Sequence, residues 1–542
     1  MAASQPFSVA LQGGLDKSSN SIELLQTPGK ATRLKNFEVS TKGGYRRING
    51  YSQLGDGTRP NSSNEILGMH VYADGVIACS GTNIYFSQDG DSWLQINKAS
   101  VAGGGDNYST FTGRSASART SQSKAHFATF EENTVYGEVI ITDEGSGVKP
   151  FYFKMTGTDS SLSNRTFFAK EITVSGTHYP KYCVIHDKHL VVAGAATALN
   201  TIFYSGTSDI DDFTSTGSGS IVLDDQVVGL KSFRNELFIF CKNSIYKLQN
   251  INNSSTIAIV PVTKNVGCVD GKTIQEFAGD LIFLAPDGFR TVAGTARIGD
   301  VELGTISKSI QPIINDIFDS ATTYEYSSVV IRDKSQYRFY YSASNASTAN
   351  SKGIIGTLTQ RGFEWAEVQG IQAPAVASGF NYSGKEKIYH GDRNGYVYNH
   401  DTGNSFNPAG TETNVEAEYQ SPDYDYGDFG TLKTLDHVKV SVFPEGAVEP
   451  TLRVRFDYDS TDRLQPTDVG IISATPSIFG DSSAVFGTST FGAPEQPLVR
   501  ATLTGSGHSN FFKIFSNDTN APYNNNKERI KLWLKHIPDK VR

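Results

Sequence analysis

The sequence is poor in charged and in helix-forming residues. Charged residues make up 19% of the 542 residues and hydrophobic residues 38%, and the balance is filled by Ser, Thr, Asn and 52 Gly. Helices need Ala, Leu, Glu and Lys in quantity, whereas Gly, Asn and Ser each favour turns. The 32 Phe and 25 Tyr suit the half-buried surface of a sheet. The composition therefore predicts an all-β protein of short strands joined by many turns.

Long apolar segments are also missing. Apolar runs reach only about half a dozen residues, against the roughly 20 that a membrane-spanning helix needs. The opening stretch MAASQPFSVALQGG has neither a basic start nor an apolar core, so we expect no signal peptide there. These absences predict a protein without a membrane-spanning segment that is assembled in a cytoplasm.

Basic residues are too few for a surface that grips nucleic acid. The formal net charge is −8, and such a surface needs clustered Lys and Arg. The charge does not exclude a surface that DNA slides past, because repulsion between like charges would keep the DNA from sticking.

The sequence contains only four cysteines, and none of them forms a CxxC pair. They stand in apolar, strand-like runs, and no His lies at metal-ligand spacing from any two of them. We therefore expect free, buried thiols rather than disulfides or metal ligands. The four are Cys79, Cys183, Cys241 and Cys268.

A loose repeat fills the middle of the chain. Each unit contains a strand, a tight polar turn, an apolar strand, a second turn and a strand that ends in aromatic residues. Antiparallel meanders that recur every ~40 to 50 residues are typical of β-propeller blades; the alternative is an irregular array of sandwiches. Units span 66–87, 181–205, 228–248 and 273–292, with fragments at 329–341 and 387–399.

The pattern divides the chain into three parts. We predict an N-terminal arm with a hairpin over 1–55, a β-propeller over 56–402 and a C-terminal β domain over 403–542, in which alternating strands indicate a sandwich. The predicted fold is thus all-β: an irregular β-propeller with an N-terminal arm and a C-terminal β-sandwich-like domain.

Three local patterns are more specific. Ser87–Trp93 resembles an Asp-box, the turn between the outer strands of some blades, and 205–213 resembles a degenerate copy. Apolar residues at helical spacing predict a helix over 307–318, with Ser307 or Ser309 as its cap and Pro312 in the first turn.

No catalytic motif is present: there is no GxSxG, P-loop, HExxH or GxGxxG followed by a helix. His186 and His189 are three residues apart, and we expect them on opposite faces of a hairpin rather than on one metal. Carboxylates cluster in turn-like segments, where Asp caps backbone groups. We therefore predict no enzymatic activity, no cofactor and no metal, and the carboxylates in question are Asp209, Asp211, Asp212, Asp423 and Asp425.

Two further segments have alternative interpretations. Arg46 and Arg47 follow Tyr45 and suit either a phosphate contact or, as we prefer, a contact between subunits. Phe479, Phe486 and Phe491 each precede Gly in a low-complexity stretch, and in a ring of copies they would form an apolar gate on the axis; ordinary turn packing is the alternative.

The arm resembles the opening of the tail nozzle and packaged-DNA stabilisation proteins of short-tailed, podovirus-type phages. The similar residues are a Gly-Gly start at 13–14, a Pro-Gly at 28–29, a strand centred on Asn36, and the segment Gly43–Tyr51. The runs 237–246 and 390–398 are similar as well. No single motif decides the match.

The resemblance implies a virion tail component that forms a homo-hexameric nozzle ring below the adaptor (head–tail connector) protein. It also implies contact of Asn36, Tyr45, Arg46 and Arg47 with the adaptor or a neighbouring subunit, tail fibres and a tail needle or tip protein as further partners, and dsDNA that passes the lumen without specific binding. The alternative is a tail-associated β-propeller adhesin or glycosidase that acts on glycans.

Overall fold

Most strands of this chain form small sheets arranged around one axis. The structure is a computed structural model that describes residues 5–41, 43–96, 111–112, 123–131, 136–145, 147–156, 165–176, 178–293, 305–343, 346–471, 498–525 and 530–536. The arm contributes β1 (Gln5–Val9), α1 (Ser21–Gln26), β2 (Arg33–Lys35), β3 (Phe37–Val39), β4 (Tyr45–Arg47) and β5 (Tyr51–Gln53).

Seven blades follow within the described residues. Blade 1 contains β6 (Ile66–Tyr72), β7 (Gly75–Ser80), β8 (Asn83–Ser87) and β9 (Leu94–Gln95). Blade 2 contains β10 (Phe111–Thr112), β11 (Ala125–Phe130), β12 (Glu138–Asp143), β13 (Phe151–Thr156) and β14 (Thr166–Glu171). Blade 3 contains β15 (Tyr182–His186), β16 (His189–Ala195), β17 (Ala198–Tyr204) and β18 (Gly219–Val222). Blade 4 contains β19 (Val227–Phe233), β20 (Glu236–Cys241), β21 (Ile245–Gln249) and β22 (Ala258–Thr263).

The remaining blades are less regular. Blade 5 contains β23 (Gln275–Phe277), β24 (Asp280–Ala285) and β25 (Gly288–Thr291), and α2 (Gln311–Asp319) follows it. Blade 6 contains β26 (Tyr324–Ile331), β27 (Gln336–Ala343), β28 (Lys352–Thr359) and β29 (Gly362–Gln369). Blade 7 contains β30 (Ala375–Phe380), β31 (Glu386–Gly391) and β32 (Val397–His400), and β5 of the arm is its fourth strand.

The ring closes through the arm. Strand β5 pairs antiparallel with β32, so that the start of the chain completes the last blade. The inner strands β6, β11, β15, β19, β23, β26 and β30 lie nearest the axis, and β30 of blade 7 lies against β6 of blade 1. Apolar clusters fill the spaces between successive blades. The burial of apolar side chains between the sheets therefore holds the ring together. Closure of the ring keeps the unpaired strand edges at its two ends from pairing with other chains.

The C-terminal domain is a β-sandwich to which the arm contributes strands. Its own strands are β33 (Val415–Gln420), β34 (Lys433–Pro444), β35 (Thr451–Phe456), β36 (Val469–Gly470), β37 (Leu498–Thr502), β38 (Ser506–Gly507), β39 (Asn510–Asp518), β40 (Tyr523–Asn525) and β41 (Ile530–His536).

Strand β2 joins this domain to the propeller. It pairs parallel with β29 of blade 6 and antiparallel with β33, so one nine-stranded sheet runs from the axis into the sandwich. The facing sheet has the order β1-β41-β34-β40-β4-β3 and also uses arm strands. One apolar cluster spans both sheets and blade 6. The arm is thus built into both domains.

The structure confirms the all-β propeller and several local predictions. The turn at Ser87–Trp93 joins the third and fourth strands of blade 1, where the Asp89 carboxylate accepts the N–H of Asp91 and Trp93 packs against the cluster between blades 7 and 1. The turn at 205–213 holds the same place in blade 3. All four cysteines are free and buried, and burial raises the pKa values of Cys183, Cys241 and Cys268 to about 12.

The predicted helix is present, but its cap differs. A 3-10 turn over Lys308–Ile310 leads into α2, and Ile313, Ile314 and Ile317 are buried on one face. Ser307 does not cap the helix; its hydroxyl instead accepts the N–H of Phe289 at 3.0 Å. No helix among the described residues is long and apolar enough to span a membrane.

Candidate functional site

The inner strands enclose a cavity of about 190 Å³ on the propeller axis. Blades 1, 2, 5, 6 and 7 line it, and its polar groups include His70, His126, Lys272 and Gln275. His70 stacks on Phe127, and its Nε2 lies 2.7 Å from the Thr129 hydroxyl. Burial lowers the pKa of His70 to about 4, so this imidazole is neutral at physiological pH.

Ion pairs between blades surround one end of this cavity, which we call the axial mouth. Arg393 of blade 7 lies 2.8 Å from Glu325 of blade 6 and 3.5 Å from Glu65, which precedes blade 1. Lys124, which precedes blade 2, lies 3.4 Å from the same Glu325 carboxylate. Each pair joins residues far apart in sequence, so these ion pairs connect different blades to one another.

The other half of the axial mouth is built in the same way. The Glu144 carboxylate lies 2.8 Å from Nε2 of His126 and 3.3 Å from Nζ of Lys272. Burial acts to raise the pKa of Glu144, but the hydrogen bond from His126 and the charge of Lys272 outweigh it and lower the pKa to about 2. Lys272 also lies 3.7 Å from Asp270. Every carboxylate named here therefore has a cation within 4 Å.

A second cavity, of about 530 Å³, lies between the arm and the hairpin that joins β28 to β29. Its lining includes Leu11, Thr41, Leu358 and Glu364. The Glu364 carboxylate is buried and accepts the N–H of Gly13 at 2.7 Å and the Thr359 hydroxyl at 2.9 Å. This carboxylate therefore fixes the Gly13–Gly14 segment of the arm against blade 6.

Asn36 connects three parts of the chain. It lies where the arm passes from β2 in one sheet to β3 in the other, with φ at 53°. Its amide donates to the carbonyls of Gln369 at 3.0 Å and Glu416 at 2.9 Å, and its Oδ1 accepts the N–H of Gln369. The side chain is buried, so it ties the arm to blade 6 and to the sandwich.

The other three arm residues also have partners inside the chain. The buried Tyr45 hydroxyl donates to the Gly29 carbonyl at 2.8 Å and accepts the N–H of Gly14 at 3.0 Å. Arg47 is buried, 2.8 Å from Asp518. Arg46 donates to Glu445 at 2.6 Å and to Glu38 at 2.9 Å.

These partners give the four residues a role that the sequence did not predict. They hold the arm in place, and the buried side chains of Asn36, Tyr45 and Arg47 have no surface to offer to another subunit. Participation of the surrounding surface in a contact between subunits stays a prediction. Phe479, Phe486 and Phe491 lie outside the described residues, and the gate stays a prediction as well.

A buried polar cluster lies where the arm meets blades 6 and 7, and we call it the closure network. Glu38 of β3 accepts from Arg338 at 3.0 Å, and Asp401 accepts from Arg338 at 3.0 Å. Lys334 lies 3.0 Å from Glu38 and 2.7 Å from Asp401. This cluster was not predicted from the sequence. The signal for it is Arg338, which occupies a strand position where an apolar residue is expected. The network consists of Glu38, Lys334, Gln336, Arg338, Tyr340, His390, His400 and Asp401.

The predicted arrangement of His186 and His189 is wrong. Asp187 and Lys188 have φ of 47° and 68° and form a two-residue turn, so the histidines are directly opposite one another and share a face. His186 bonds the Ser232 hydroxyl at 2.8 Å, and Nε2 of His189 lies 2.9 Å from Asn252. Both side chains thus contact blade 4.

Two of the five carboxylates singled out in the sequence cap turns. Asp212 accepts the N–H of Thr214 at 2.7 Å, and Asp425 accepts the N–H of Gly427 at 2.9 Å. Asp423 differs, because burial raises its pKa to about 6. Its neighbour Asp457 is occupied by the N–H groups of residues 508 and 509.

Comparisons with known proteins identify no family. No family model matches the chain, and no curated protein matches it. Similar solved structures include an exo-β-1,3-galactanase from Phanerochaete chrysosporium, at 9% identity and a TM-score of 0.27, covering 90% of this chain and 100% of that one. Another is the WD40 domain of Neurospora crassa Pan2, at 10% identity and a TM-score of 0.34, covering 64% of this chain and 94% of that one. Likeness at this level says nothing about function, and the fold assignment rests on the strand pairing described above.

Proposed function

We propose that the protein is a structural subunit of a short-tailed phage tail. In this proposal six copies form a nozzle ring below the adaptor. The ring retains the packaged DNA and conducts it during ejection. The observation that carries the proposal is the arm, because the residues on which the sequence resembles tail nozzle proteins are those that join the arm to both domains.

The geometry of the arm explains why these residues would recur in proteins of one architecture. A Cβ on Gly14 would lie 2.7 Å from the backbone nitrogen of Trp365, and a Cβ on Gly29 would lie 1.8 Å from the Ala10 carbonyl oxygen. Asn36 and Tyr45 fill equally restricted positions. Matches at such positions support a shared architecture more strongly than the same number of matches on a surface would, and the other similar runs, 237–246 and 390–398, lie in blades 4 and 7.

The propeller axis is too narrow to be the path for DNA. Side chains of blades that are not neighbours meet across the axis: Glu144, which follows β12 of blade 2, lies 3.3 Å from Lys272, which precedes blade 5, and Lys124 lies 3.4 Å from Glu325 of blade 6. A double helix could not pass between side chains this close. The lumen of the proposed ring would therefore be formed between subunits, and the net charge of −8 would disfavour phosphate adhering to its wall.

The chemistry of the axial mouth supports a role without catalysis. Glycoside hydrolysis uses two carboxylates that face each other across the sugar. In the axial mouth Glu65, Glu144 and Glu325 are each beside a cation of another blade. Paired in this way, they fasten blades rather than attack a substrate.

The test is electron microscopy of the purified protein, alone and mixed with its adaptor complex, together with a mass measurement in solution. We expect sixfold rings with an open channel and a mass of six copies of the 58.8 kDa chain. The same preparation is assayed for release of reducing sugar from polysaccharides. Lone propellers that never join a ring and that bind or cleave a glycan would overturn the proposal in favour of an adhesin or glycosidase.

A further inference from the structure

Two histidines of the closure network lie beneath the strand that closes the ring. His400 of β32 is directly opposite Tyr51 of β5. His390 of β31 stacks on Tyr398 with ring centroids 4.8 Å apart, and Tyr51 packs edge-on against it at 4.8 Å. Both histidines are buried. Any change in their charge would therefore act on the contact between the arm and blade 7.

The hydrogen bonds assign a protonation state to both rings. Nε2 of His400 lies 3.2 Å from Arg338, whose guanidinium can only donate, so Nε2 must accept. The proton of His400 is then on Nδ1, which lies 3.1 Å from Nδ1 of His390 and donates to it. His390 accordingly accepts at Nδ1 and carries its proton on Nε2. Both histidines are neutral, and each uses its free lone pair as an acceptor.

A proton added to either ring would break one of these bonds. Protonation of His400 at Nε2 would direct an N–H at the Arg338 guanidinium, 3.2 Å away, which can only donate. Protonation of His390 at Nδ1 would direct two N–H groups at each other. In both cases a bond is replaced by repulsion within the interior.

No nearby carboxylate is free to neutralise the new charge. Glu38 and Asp401 already share Arg338 and Lys334 between them, and Arg46 adds a third cation beside Glu38. Asp392 is occupied by the Tyr398 hydroxyl and by the N–H groups of residues 394 and 396. The titratable and charged groups around the pair, from every element packed against it, are Glu38, Arg46, Tyr51, Lys334, Arg338, Tyr340, Asp392, Tyr398 and Asp401.

We propose that His390 and His400 form an acid-sensitive latch, which holds β5 of the arm against blade 7 while both are neutral and releases it when either is protonated. Burial lowers the pKa of His390 to about 3, and burial together with the positive charge of Arg338 lowers the pKa of His400 well below its usual value. The contribution of each histidine is complete above the unfolded pKa of about 6.5 and is lost as the pH falls below it. The equilibrium constant for opening therefore rises by roughly tenfold per histidine for each pH unit below about 6.5.

The test is hydrogen exchange of the intact protein, measured by mass spectrometry at pH 7.5 and pH 5. Each rate is divided by that of the same peptide in the denatured protein, which removes the intrinsic pH effect. Peptides over 48–56 and 388–402 should open at least tenfold more at pH 5, while a peptide over 236–249 in blade 4, which contains no histidine, should not change. Equal protection of the arm and blade 7 at the two pH values would overturn the proposal.

The matched variants separate the latch from acid sensitivity in general. His400→Gln keeps an acceptor for Arg338 and cannot titrate, so its arm peptides should retain only the share of His390, roughly a tenfold rise in opening for each pH unit below about 6.5, against roughly a hundredfold for the wild type. His70→Gln removes a half-buried histidine that lines the axial cavity, and it should respond as the wild type does. If His400→Gln does not fold, the wild type still decides: limited proteolysis at pH 5 should cut first within 48–58, and first cuts elsewhere would refute the latch.

Discussion

The Asn36 side chain ties the arm to both domains through three hydrogen bonds, and the loss of stability on removing it can be predicted quantitatively. Asn36→Ala orphans the buried N–H of Gln369, at about 2 kcal/mol, and loses two bonds to carbonyls at about 1 kcal/mol each. The left-handed φ of 53° adds about 1 kcal/mol for Ala. The expected loss of unfolding free energy is about 5 kcal/mol, and Asn36→Gly, which is free of the backbone penalty, should lose about 4 kcal/mol.

The assay is equilibrium urea unfolding followed by tryptophan fluorescence. Trp365 is buried in β29, in the sheet that Asn36 anchors, and so reports on this region. Asn250→Ala is the matched control, because Asn250 has φ of 58° but only an exposed side-chain bond, to the Thr256 carbonyl; it should lose under about 2 kcal/mol. A loss below about 1 kcal/mol for Asn36→Ala, or equal losses for the two alanine variants, would refute the assignment of Asn36 as the anchor.

Three further predictions concern the buried charges and thiols. Arg338→Met should lower the unfolding free energy by about 3 kcal/mol, because Glu38 and Asp401 lose a shared cation in the interior. The control Arg332→Met, in which the ion pair lost is exposed on one side, should lower the unfolding free energy by under about 1 kcal/mol. Equal urea midpoints for the two variants would contradict this prediction. In the wild type the Glu144 carboxylate stabilises the fold above its unfolded pKa, and this stability is lost as the pH falls toward its folded pKa of about 2. Between about pH 4.5 and pH 2 the thermal midpoint of Glu144→Gln should therefore fall less steeply than that of the wild type. Parallel curves for variant and wild type would count against the role of Glu144 between blades. A thiol reagent near neutral pH should modify none of the cysteines in the native protein and all of them in urea, and native reactivity at the unfolded rate would exclude the described burial of Cys79, Cys183, Cys241 and Cys268.

Much of the fold could be predicted from patterns within short segments of the sequence. Strand–turn–strand units, the apolar stripe at 310–318 and the turn at Ser87–Trp93 each depend on neighbours in sequence, and a reading of the sequence found all three. The error at His186 and His189 has a local cause too. The two residues between them adopt left-handed φ, which turns the chain back within the pair and places the rings on one face.

Contacts between distant segments could not be predicted. The pairing of β5 with β32, the insertion of β2 between β29 and β33, and the bonds from Glu38 into the closure network join residues roughly 300 or more positions apart. Nothing in the segments themselves specifies these partners, because a short strand with one buried face can add to many sheet edges. Asn36, Tyr45 and Arg47 therefore stood out in the sequence as residues of a subunit contact, while the structure shows them bonded within the chain.

The arm also sets the order in which the chain can complete its fold during synthesis. Strands β1 to β4 leave the ribosome first, yet their partners β29, β33, β40 and β41 end hundreds of residues later. At about 5 to 20 residues per second, the first fifty residues wait roughly 25 to 100 s for the last strand. The blades can form one after another in that interval, but the ring cannot close before β32 emerges. The arm is thus made long before the strands that fix it in place, and until they emerge its strand edges are open to pairing with other nascent chains.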